Sequence, residues 1–450
     1  MRGTHIFLAM NYSAYNIYSQ LRDSKNFYLI NILSGNADIL SPEEAARFRE
    51  GSFSDEEKET YRSKGYLADP EDEKRRYRKA YLDFIDQRES GEIQIFFVPT
   101  YACNFNCAYC YQEGYSGEPD TDQGEVVEAF YRYIDEEFAG RRKYITIFGG
   151  EPLLSGSLYR SRIEKLLEGA SRRNLDVAVV TNGYNLKEYI PLFSNHSIRE
   201  IQVTLDGTEE VHDRRRPLKD GSGTFQVIAA GIDGALKAGF PVNLRVVVDK
   251  ENMENLPNLA AFAGEKGWTE NPLFKTQLGR NYELHYCQKD ESSLYSRLEM
   301  YQELYSLIQT HPGILDFHKP AYSISRFLFE NGNLPEPLFD SCPGCKTEWA
   351  FDYRGTMYSC TATVGKPGEE LGTFFPEVTR KQELIDEWEE RDVTTIEKCR
   401  TCELQLACGG GCASVAKNNT GNIHAPDCRP VRELLELGIS LYYNQIEQGA

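Results

Sequence analysis

The sequence predicts an α/β protein, and two observations carry that prediction. From Glu92 to about Gly279 short apolar runs alternate with amphipathic stretches. Repeated strand–helix alternation implies parallel strands joined by right-handed crossovers. Three strand-like runs and three helix starts precede this region, and a cysteine-dense segment follows it. The runs Ile93 to Val98, Tyr144 to Phe148, Val177 to Thr181, Ile201 to Leu205, Leu244 to Val248 and Leu273 to Gln277 read as buried strands. Glu125 to Phe138 and Phe225 to Ala238 are two of the helical stretches between them. Such units are fewer here than the eight that close a barrel.

In the first ninety residues, Ser13 to Arg22 and Asn26 to Leu33 are rich in Tyr, Ile and Phe and read as strands. The short polar Asp23-Ser24-Lys25 between them suits a hairpin. Ser34-Gly35-Asn36 turns the chain into a third strand, Ala37 to Leu40. Ser41-Pro42-Glu43-Glu44 combines a hydroxyl N-cap, proline at the first helical position and early carboxylates. Ser54-Asp55-Glu56-Glu57 repeats that helix start, and Asp69-Pro70-Glu71-Asp72 opens a longer helix reaching about Gln87.

A chain of 450 residues is long enough for about three domains, with expected divisions at 1–90, 91–325 and 326–450. Runs such as Ile95 to Val98 and Ile6 to Met10 are far too short to span a membrane. No long apolar core precedes a small-residue cleavage site, so no secretory signal is expected. The formal charge of −19 argues against nucleic acid, whose phosphates demand a basic surface. A cytoplasmic protein with neither a nucleic-acid nor a membrane partner is therefore expected. Disulfides are reduced in that compartment, so twelve cysteines point to metal or cluster ligation. Eleven fall into the groups 103/107/110, 342/345/360 and 399/402/408/412/428, and Cys287 stands apart.

Cys103, Cys107 and Cys110 directly follow the first strand of the alternating region. A zinc site or a fully ligated iron–sulfur cluster needs four protein donors, and this loop supplies three. A zinc site closed by a distant residue is the competing reading. Gly149-Gly150-Glu151-Pro152 follows the second strand, where paired glycines either let backbone approach a ligand or make a tight turn. Thr181-Asn182-Gly183 ends the third strand and Thr204-Leu205-Asp206-Gly207 the fourth. Chemistry in strand–helix barrels gathers at these C-terminal strand ends. Beyond them His212-Asp213-Arg214-Arg215-Arg216 leads into Gly221-Ser222-Gly223-Thr224-Phe225, and Arg245 lies in the fifth strand. In the last third, Cys342 and Cys345 precede Cys360, and Cys399, Cys402, Cys408 and Cys412 precede Cys428. Eight thiols make two complete four-ligand sets, for clusters or for two zinc ions. Gly409-Gly410-Gly411 fits backbone packed against a cluster.

These motifs, in this order and over nearly the whole chain, resemble the radical S-adenosylmethionine (SAM) enzymes of the peptide- and protein-modifying branch. The resemblance implies SAM and three [4Fe-4S] clusters as cofactors. Cys103, Cys107 and Cys110 would hold a cluster whose open iron chelates SAM, which is cleaved to methionine and a 5'-deoxyadenosyl radical. Tyr109 resembles the aromatic flanking the adenine, although packing explains a lone Tyr equally well. Gly149, Gly150 and Glu151 resemble the segment receiving the SAM amino group. Asn182 and Thr204 would lie near the ribose and carboxylate, with Thr204 where the family usually has Ser. Arg216 or Arg245 would pair with the SAM carboxylate, which a guanidinium binds bidentately, while Arg214 and Arg215 are expected in solvent.

The cysteine-dense segment is similar to the SPASM domain, which holds two auxiliary clusters. By resemblance the first set is Cys342, Cys345, Cys360 and Cys412, and the second Cys399, Cys402, Cys408 and Cys428. A tight Cys342–Cys345 gap and a short gap before Cys428 leave a ligand swap open. The N-terminal strands and helices look like the winged-helix module of peptide maturases, where a leader adds to an exposed edge strand. A plain scaffold is the alternative. The implied architecture is α/β: a partial (β/α)6 TIM-like barrel between an N-terminal winged-helix-like peptide-binding module and a C-terminal SPASM iron–sulfur domain.

The implied activity is oxidative maturation of a ribosomally made peptide, most simply a thioether, carbon–carbon or ether cross-link after hydrogen abstraction. The partners are then a precursor peptide with its leader and a reducing electron donor of flavodoxin or ferredoxin type. An anaerobic sulfatase maturase forming formylglycine is the alternative enzyme. That group places an Asp general base directly after the third SPASM cysteine, where this chain has Thr361. A non-catalytic electron-transfer protein explains the later cysteines but leaves the glycine and Asn motifs idle. Cys287, with Tyr282, His285 and Tyr286 nearby, would either line a peptide groove or pack.

Overall fold

The computed structural model describes residues 12–112, 114–115, 123–281 and 291–447. Cys287, Tyr282, His285 and Tyr286 lie outside the described residues. The chain begins with β1 (Asn16–Gln20), β2 (Phe27–Asn31) and β3 (Asn36–Leu40), an antiparallel sheet in sequence order. Next come α1 (Pro42–Glu50), α2 (Asp55–Ser63) and α3 (Pro70–Ser90). Their starts follow from the caps: Ser41 with Glu44 and Ser54 with Glu57 form reciprocal capping boxes. The Asp69 carboxylate accepts from the amides of Glu71 and Asp72. The outer side of β1 meets a C-terminal helix, α16 (Val431–Glu447): the Arg22 amide donates to Ser440 Oγ at 2.8 Å, and Arg432 reaches the Tyr18 carbonyl. Among the described residues no strand pairs with the outer edge of β3.

The alternating region runs β4 (Ile93–Val98), α4 (Gly124–Glu137), β5 (Lys143–Ile147), α5 (Ser157–Ser171), β6 (Val177–Thr181), α6 (Leu186–Phe193), β7 (Ile198–Thr204), α7 (Glu209–Arg215), α8 (Phe225–Lys237), β8 (Val242–Val248), α9 (Leu256–Glu265) and β9 (Phe274–Arg280). The strands from β4 to β9 pair in parallel and in chain order. Alternation across each strand divides the chemistry. On β4, Ile93, Ile95 and Phe97 are buried against the Phe130 and Ile134 side of α4. Gln94 and Phe96, on the other face, point into a cavity.

After α10 (Arg297–Thr310), α11 (Ile314–Phe317) and α12 (Ser325–Asn331), the chain returns to the same sheet. β10 (Glu348–Asp352) pairs parallel to β4, and β11 (Thr356–Tyr358), β12 (Gly372–Thr373) and β13 (Thr379–Arg380) follow as antiparallel strands. Among the described residues the result is a mixed sheet of ten strands, ordered β13-β12-β11-β10-β4-β5-β6-β7-β8-β9. The sequence predicts residues 326–450 as a cluster-holding unit, and none of the last four strands stands out in it. Three of them run only two or three residues, too few to carry periodicity. Helices α13 (Gln382–Glu390), α14 (Gln405–Cys408), α15 (Ala413–Thr420) and α16 complete the chain. No helix of the described residues is long and apolar enough to cross a membrane.

Candidate active site

The C-terminal ends of β4 to β9 open onto a cavity of about 630 Å³. Cys103, Cys107 and Cys110 line it from the loop after β4, and Tyr109 lies among them. Gly149 and Gly150 line it after β5, Asn182 after β6, Thr204 at the end of β7, Arg216 after α7, and Arg245 from within β8. Thr361 and Ala362, next to Cys360, reach it from the C-terminal segment. Seven of the eight residues expected at SAM thus share one space with the first cysteine trio. The exception is Glu151, which lies behind the wall.

The cysteine loop is held by backbone from distant segments. The amide of Asn106 donates to the Pro217 carbonyl at 2.9 Å, that of Ala108 to Arg215 at 3.3 Å, and Lys219 returns a 3.1 Å bond to Asn104. Phe105 is buried beneath the loop. The second loop nests directly on the first: the amides of Gly150 and Glu151 donate to the carbonyls of Thr100 and Ala102 at 3.1 and 2.8 Å. A Cβ on Gly150 would stand 2.4 Å from the carbonyl oxygens of Tyr101 and Ala102, and one on Gly149 2.6 Å from that of Thr100. Loop-on-loop packing therefore requires these glycines.

The Glu151 carboxylate accepts from Thr181 Oγ1 at 2.6 Å and from the amides of Asn182 and Leu153 at 2.6 and 2.8 Å. Burial pushes its pKa up to about 6 against these stabilising donors. Its observed work is to clamp the end of β6. Asn182, held there, donates from Nδ2 to Asn104 Oδ1 at 2.8 Å, with Cys103 Sγ at 4.0 Å. The third strand end is thereby tied to the cysteine loop.

The arginines divide differently from the sequence expectation. Arg214 is exposed, but Arg215 is buried, which corrects its placement in solvent. Arg215 pairs with Asp249 at 2.8 Å and approaches Asp206 at 3.5 Å. Proximity of those carboxylates, invisible from a run of three arginines, outweighs the desolvation of its charge. Arg216 donates to the Tyr109 hydroxyl at 2.6 Å, and that hydroxyl donates to Asp206. Tyr109 is thus anchored at its polar end while its ring, 5.2 Å from the Arg215 guanidinium, contributes to the cavity. His212 supports the segment from below. Its Nδ1 accepts from the Asp206 amide at 3.1 Å, so Nε2 donates to Thr224 Oγ1, also at 3.1 Å. Thr224 in turn donates to the Arg216 carbonyl at 2.9 Å.

Burial pushes the Cys103 thiol up to about 12 and Cys107 to about 11, and Cys110 adds repulsion to both. Among the later thiols, Cys342 feels Cys412, Cys345 feels Cys360 and Cys342, and Cys360 feels Cys342 and Cys412. Cys399, pushed up to about 11, feels Cys408, Cys402 and Cys428. Among the described residues no three Cys, His, Asp or Glu close on one point as the ligands of a single ion do. Cys103, Cys107, Cys345 and Cys360, kept neutral by burial, fit a cationic iron–sulfur group whose charge would let them ionise. Between the later groups lie buried cations. Arg391 donates to the carbonyls of Gly410, Gly411, Ile423 and Ala425, and Lys346 pairs with Asp340. No sequence motif marks Arg391, so its role emerges only from the fold.

Residues 97–263 match the family model described as the Radical SAM superfamily. The mycofactocin maturase MftC of Mycolicibacterium smegmatis is 26% identical over 334 residues, covering 72% of this chain and 78% of its own. Among solved structures, native anSMEcpe with bound AdoMet and Cp18Cys peptide aligns with a TM-score of 0.61 at 20% identity, over 80% of this chain and 99% of its own. Streptococcus suis SuiB bound to precursor peptide SuiA aligns with a TM-score of 0.53 at 15% identity, over 94% of this chain and 99% of its own. At these identities the structural likeness speaks for the fold.

Proposed function

The chain belongs to the radical SAM superfamily and is an enzyme, and from that premise we propose that it matures a ribosomally synthesised peptide by hydrogen abstraction. When bound, a [4Fe-4S] cluster and SAM supply the electron and the 5'-deoxyadenosyl radical for that abstraction. The observation that carries the reading is one cavity lined by Cys103, Cys107 and Cys110 on one side and by Thr361, next to Cys360, on the other. Chemistry begun at the first cysteine trio would thus have a second thiol group close by to receive electrons or orient a substrate.

In this reading Cys103, Cys107 and Cys110 hold the SAM cluster. Tyr109, Gly149, Gly150, Asn182, Thr204 and Arg216 face SAM, and Glu151 positions Asn182. Cys342, Cys345, Cys360 and Cys412 hold one auxiliary cluster, and Cys399, Cys402, Cys408 and Cys428 the other. The electrostatic neighbours among the later thiols support this division. The unpaired edge of β3 is the proposed landing strip for a leader peptide, since an edge strand offers free backbone donors and acceptors. SuiB with its precursor peptide and the maturase MftC, to which the chain is similar, support a peptide substrate. A cross-link is the proposed product, a flavodoxin- or ferredoxin-like protein the electron donor, and the cytoplasm the setting. The domains are proposed as 1–90 for the leader, 91–325 for SAM chemistry and 326–450 for the auxiliary clusters. Formylglycine formation is disfavoured by Thr361, whose hydroxyl and amide both turn to Glu348 Oε1 at 3.3 and 2.9 Å.

Anaerobic reconstitution followed by co-expression with a peptide encoded beside this chain tests the proposal. Expected are 5'-deoxyadenosine from SAM under reduction and a peptide lighter by two hydrogens per cross-link. Bound zinc in place of iron, or iron content unchanged when Cys103, Cys107 and Cys110 become alanine, would overturn it.

A further inference from the structure

Arg245 stands in a cross-strand row with Thr204 on β7 and Gln277 on β9. All three line the cavity. The guanidinium lies against the backbone of β9: a Cβ on Gly279 would stand 3.3 Å from both Nε and NH2. A glycine there lets the planar group rest close to the sheet, so its direction is set before anything binds. Yet among the described residues it has no ion-pair or hydrogen-bond partner, and its Nε is buried unsatisfied.

The other cations of the same cavity each have a partner, although the Arg216 Nε is also buried without an acceptor. Arg199 pairs with Glu92 at 2.7 Å, Lys275 pairs with Glu200, Arg280 donates to the Tyr295 carbonyl, and Arg216 holds the Tyr109 hydroxyl. A guanidinium partly withdrawn from water and left without an acceptor costs free energy that a bound anion would return. Its planar fork fits a carboxylate in particular.

SAM carries a single carboxylate, and Arg216 is the better placed to take it. The Arg216 guanidinium sits 5.8 Å from the Phe105 ring and donates to the Tyr109 hydroxyl at 2.6 Å, so it lies over the cysteine loop. Arg245 therefore remains for a different anion in the same cavity. We infer that Arg245 is the substrate-side anchor of this enzyme, binding a carboxylate of the peptide, either an acidic side chain or the C-terminus. The inference rests on the proposed reading of the cavity as a SAM and peptide site.

The test uses anaerobically reconstituted full-length protein with SAM present, and compares wild type with Arg245→Gln and Arg245→Lys. Equilibrium dialysis measures acetyl-Gly-Asp-Gly-amide against acetyl-Gly-Asn-Gly-amide, and acetyl-Gly-Gly carboxylate against its amide. Wild type should prefer one carboxylate of these pairs by about tenfold, and whichever pair discriminates identifies the source of the anion. Arg245→Gln should abolish that preference, and Arg245→Lys should keep part of it. Iron content and the SAM dissociation constant should stay within about twofold of wild type in both. Equal binding of acid and amide by wild type overturns the inference. So does a SAM affinity about tenfold weaker in Arg245→Gln at unchanged iron content, because Arg245 would then serve the cofactor. Neither result touches SAM cleavage by wild type, whose absence would instead sink the proposed function.

Discussion

The hydroxyl of Tyr101 donates a 2.9 Å hydrogen bond to the Asp352 carboxylate, and both residues are buried. Tyr101 leads into the cysteine loop, and Asp352 ends the strand by which the C-terminal segment rejoins the sheet. Asp352 also accepts from the amides of Arg354 and Thr356 at 3.0 and 3.3 Å and from the Tyr358 hydroxyl at 3.4 Å. Burial raises its pKa and these donors oppose the rise. Tyr101→Phe removes one donor from a buried carboxylate and should cost about 1–3 kcal/mol. Denaturant unfolding of wild type and variant checks this, and an unchanged midpoint would refute the link.

Gly150→Ala should act on the cysteine loop more than on the fold. Its Cβ would meet the Tyr101 and Ala102 carbonyls at 2.4 Å, so the loop must move. Loss of about four irons per chain is expected, with far-ultraviolet circular dichroism retained. Gly221→Ala is the control. Nothing lies within 4 Å of its Cβ although its φ is +84°, so about 1 kcal/mol of strain with full iron content is expected.

His212 should make stability fall in mild acid. Burial and the neighbouring arginines depress its pKa to about 3 from the ordinary value near 6.5. Between those values the unfolded chain binds the extra proton and the folded chain does not. Stability is thus fully present above about pH 6.5 and declines as pH falls, by at most about 1.4 kcal/mol per pH unit from this group. His318, depressed to about 4, adds to the slope over a narrower range. His212→Asn should flatten the acid limb of a stability–pH curve. An unaltered limb would assign the decline to other groups.

Arg391→Leu should be among the most damaging single changes in the C-terminal segment. Its guanidinium is fully buried and serves four carbonyls, at 2.6 Å to Ile423, 2.9 Å to Gly410, 3.1 Å to Gly411 and 3.2 Å to Ala425. Leaving those acceptors unpaired should cost about 3–5 kcal/mol, while Asp340 keeps its pairing with Lys346. Arg391→Lys should not restore stability, because an ammonium cannot span the fork. Thermal unfolding and iron content report both changes.

Much of the fold was legible because its signals are local. Ser41 with Glu44 and Ser54 with Glu57 announce helices through contacts three residues apart. The apolar runs from Ile93 to Gln277 fall on β4 to β9, with β7 and β8 starting two or three residues early and β9 running on to Arg280. β11 to β13 were not legible, because strands of two or three residues exist only through their neighbours. β10, by contrast, is as long as β5 and β6 and was missed within the cysteine-dense segment. The placement of the first cysteine trio at a strand end was readable, as were Gly149, Gly150, Asn182 and Thr204 beside it. Glu151 was readable as part of the site but not as a clamp, and Arg215 was misplaced.

By itself the sequence determined the kinds of element and their order, the grouping of thiols, and the strand ends that carry polar residues. Periodicity, capping and spacing act over a few residues, so they survive in a linear string. Tertiary structure alone decided which charges meet. Arg215 found Asp249 and Arg391 found four carbonyls, while Arg245 was left facing the cavity unmatched. Electrostatic cost depends on through-space distance and desolvation, and both are set only when segments far apart in the chain are packed together.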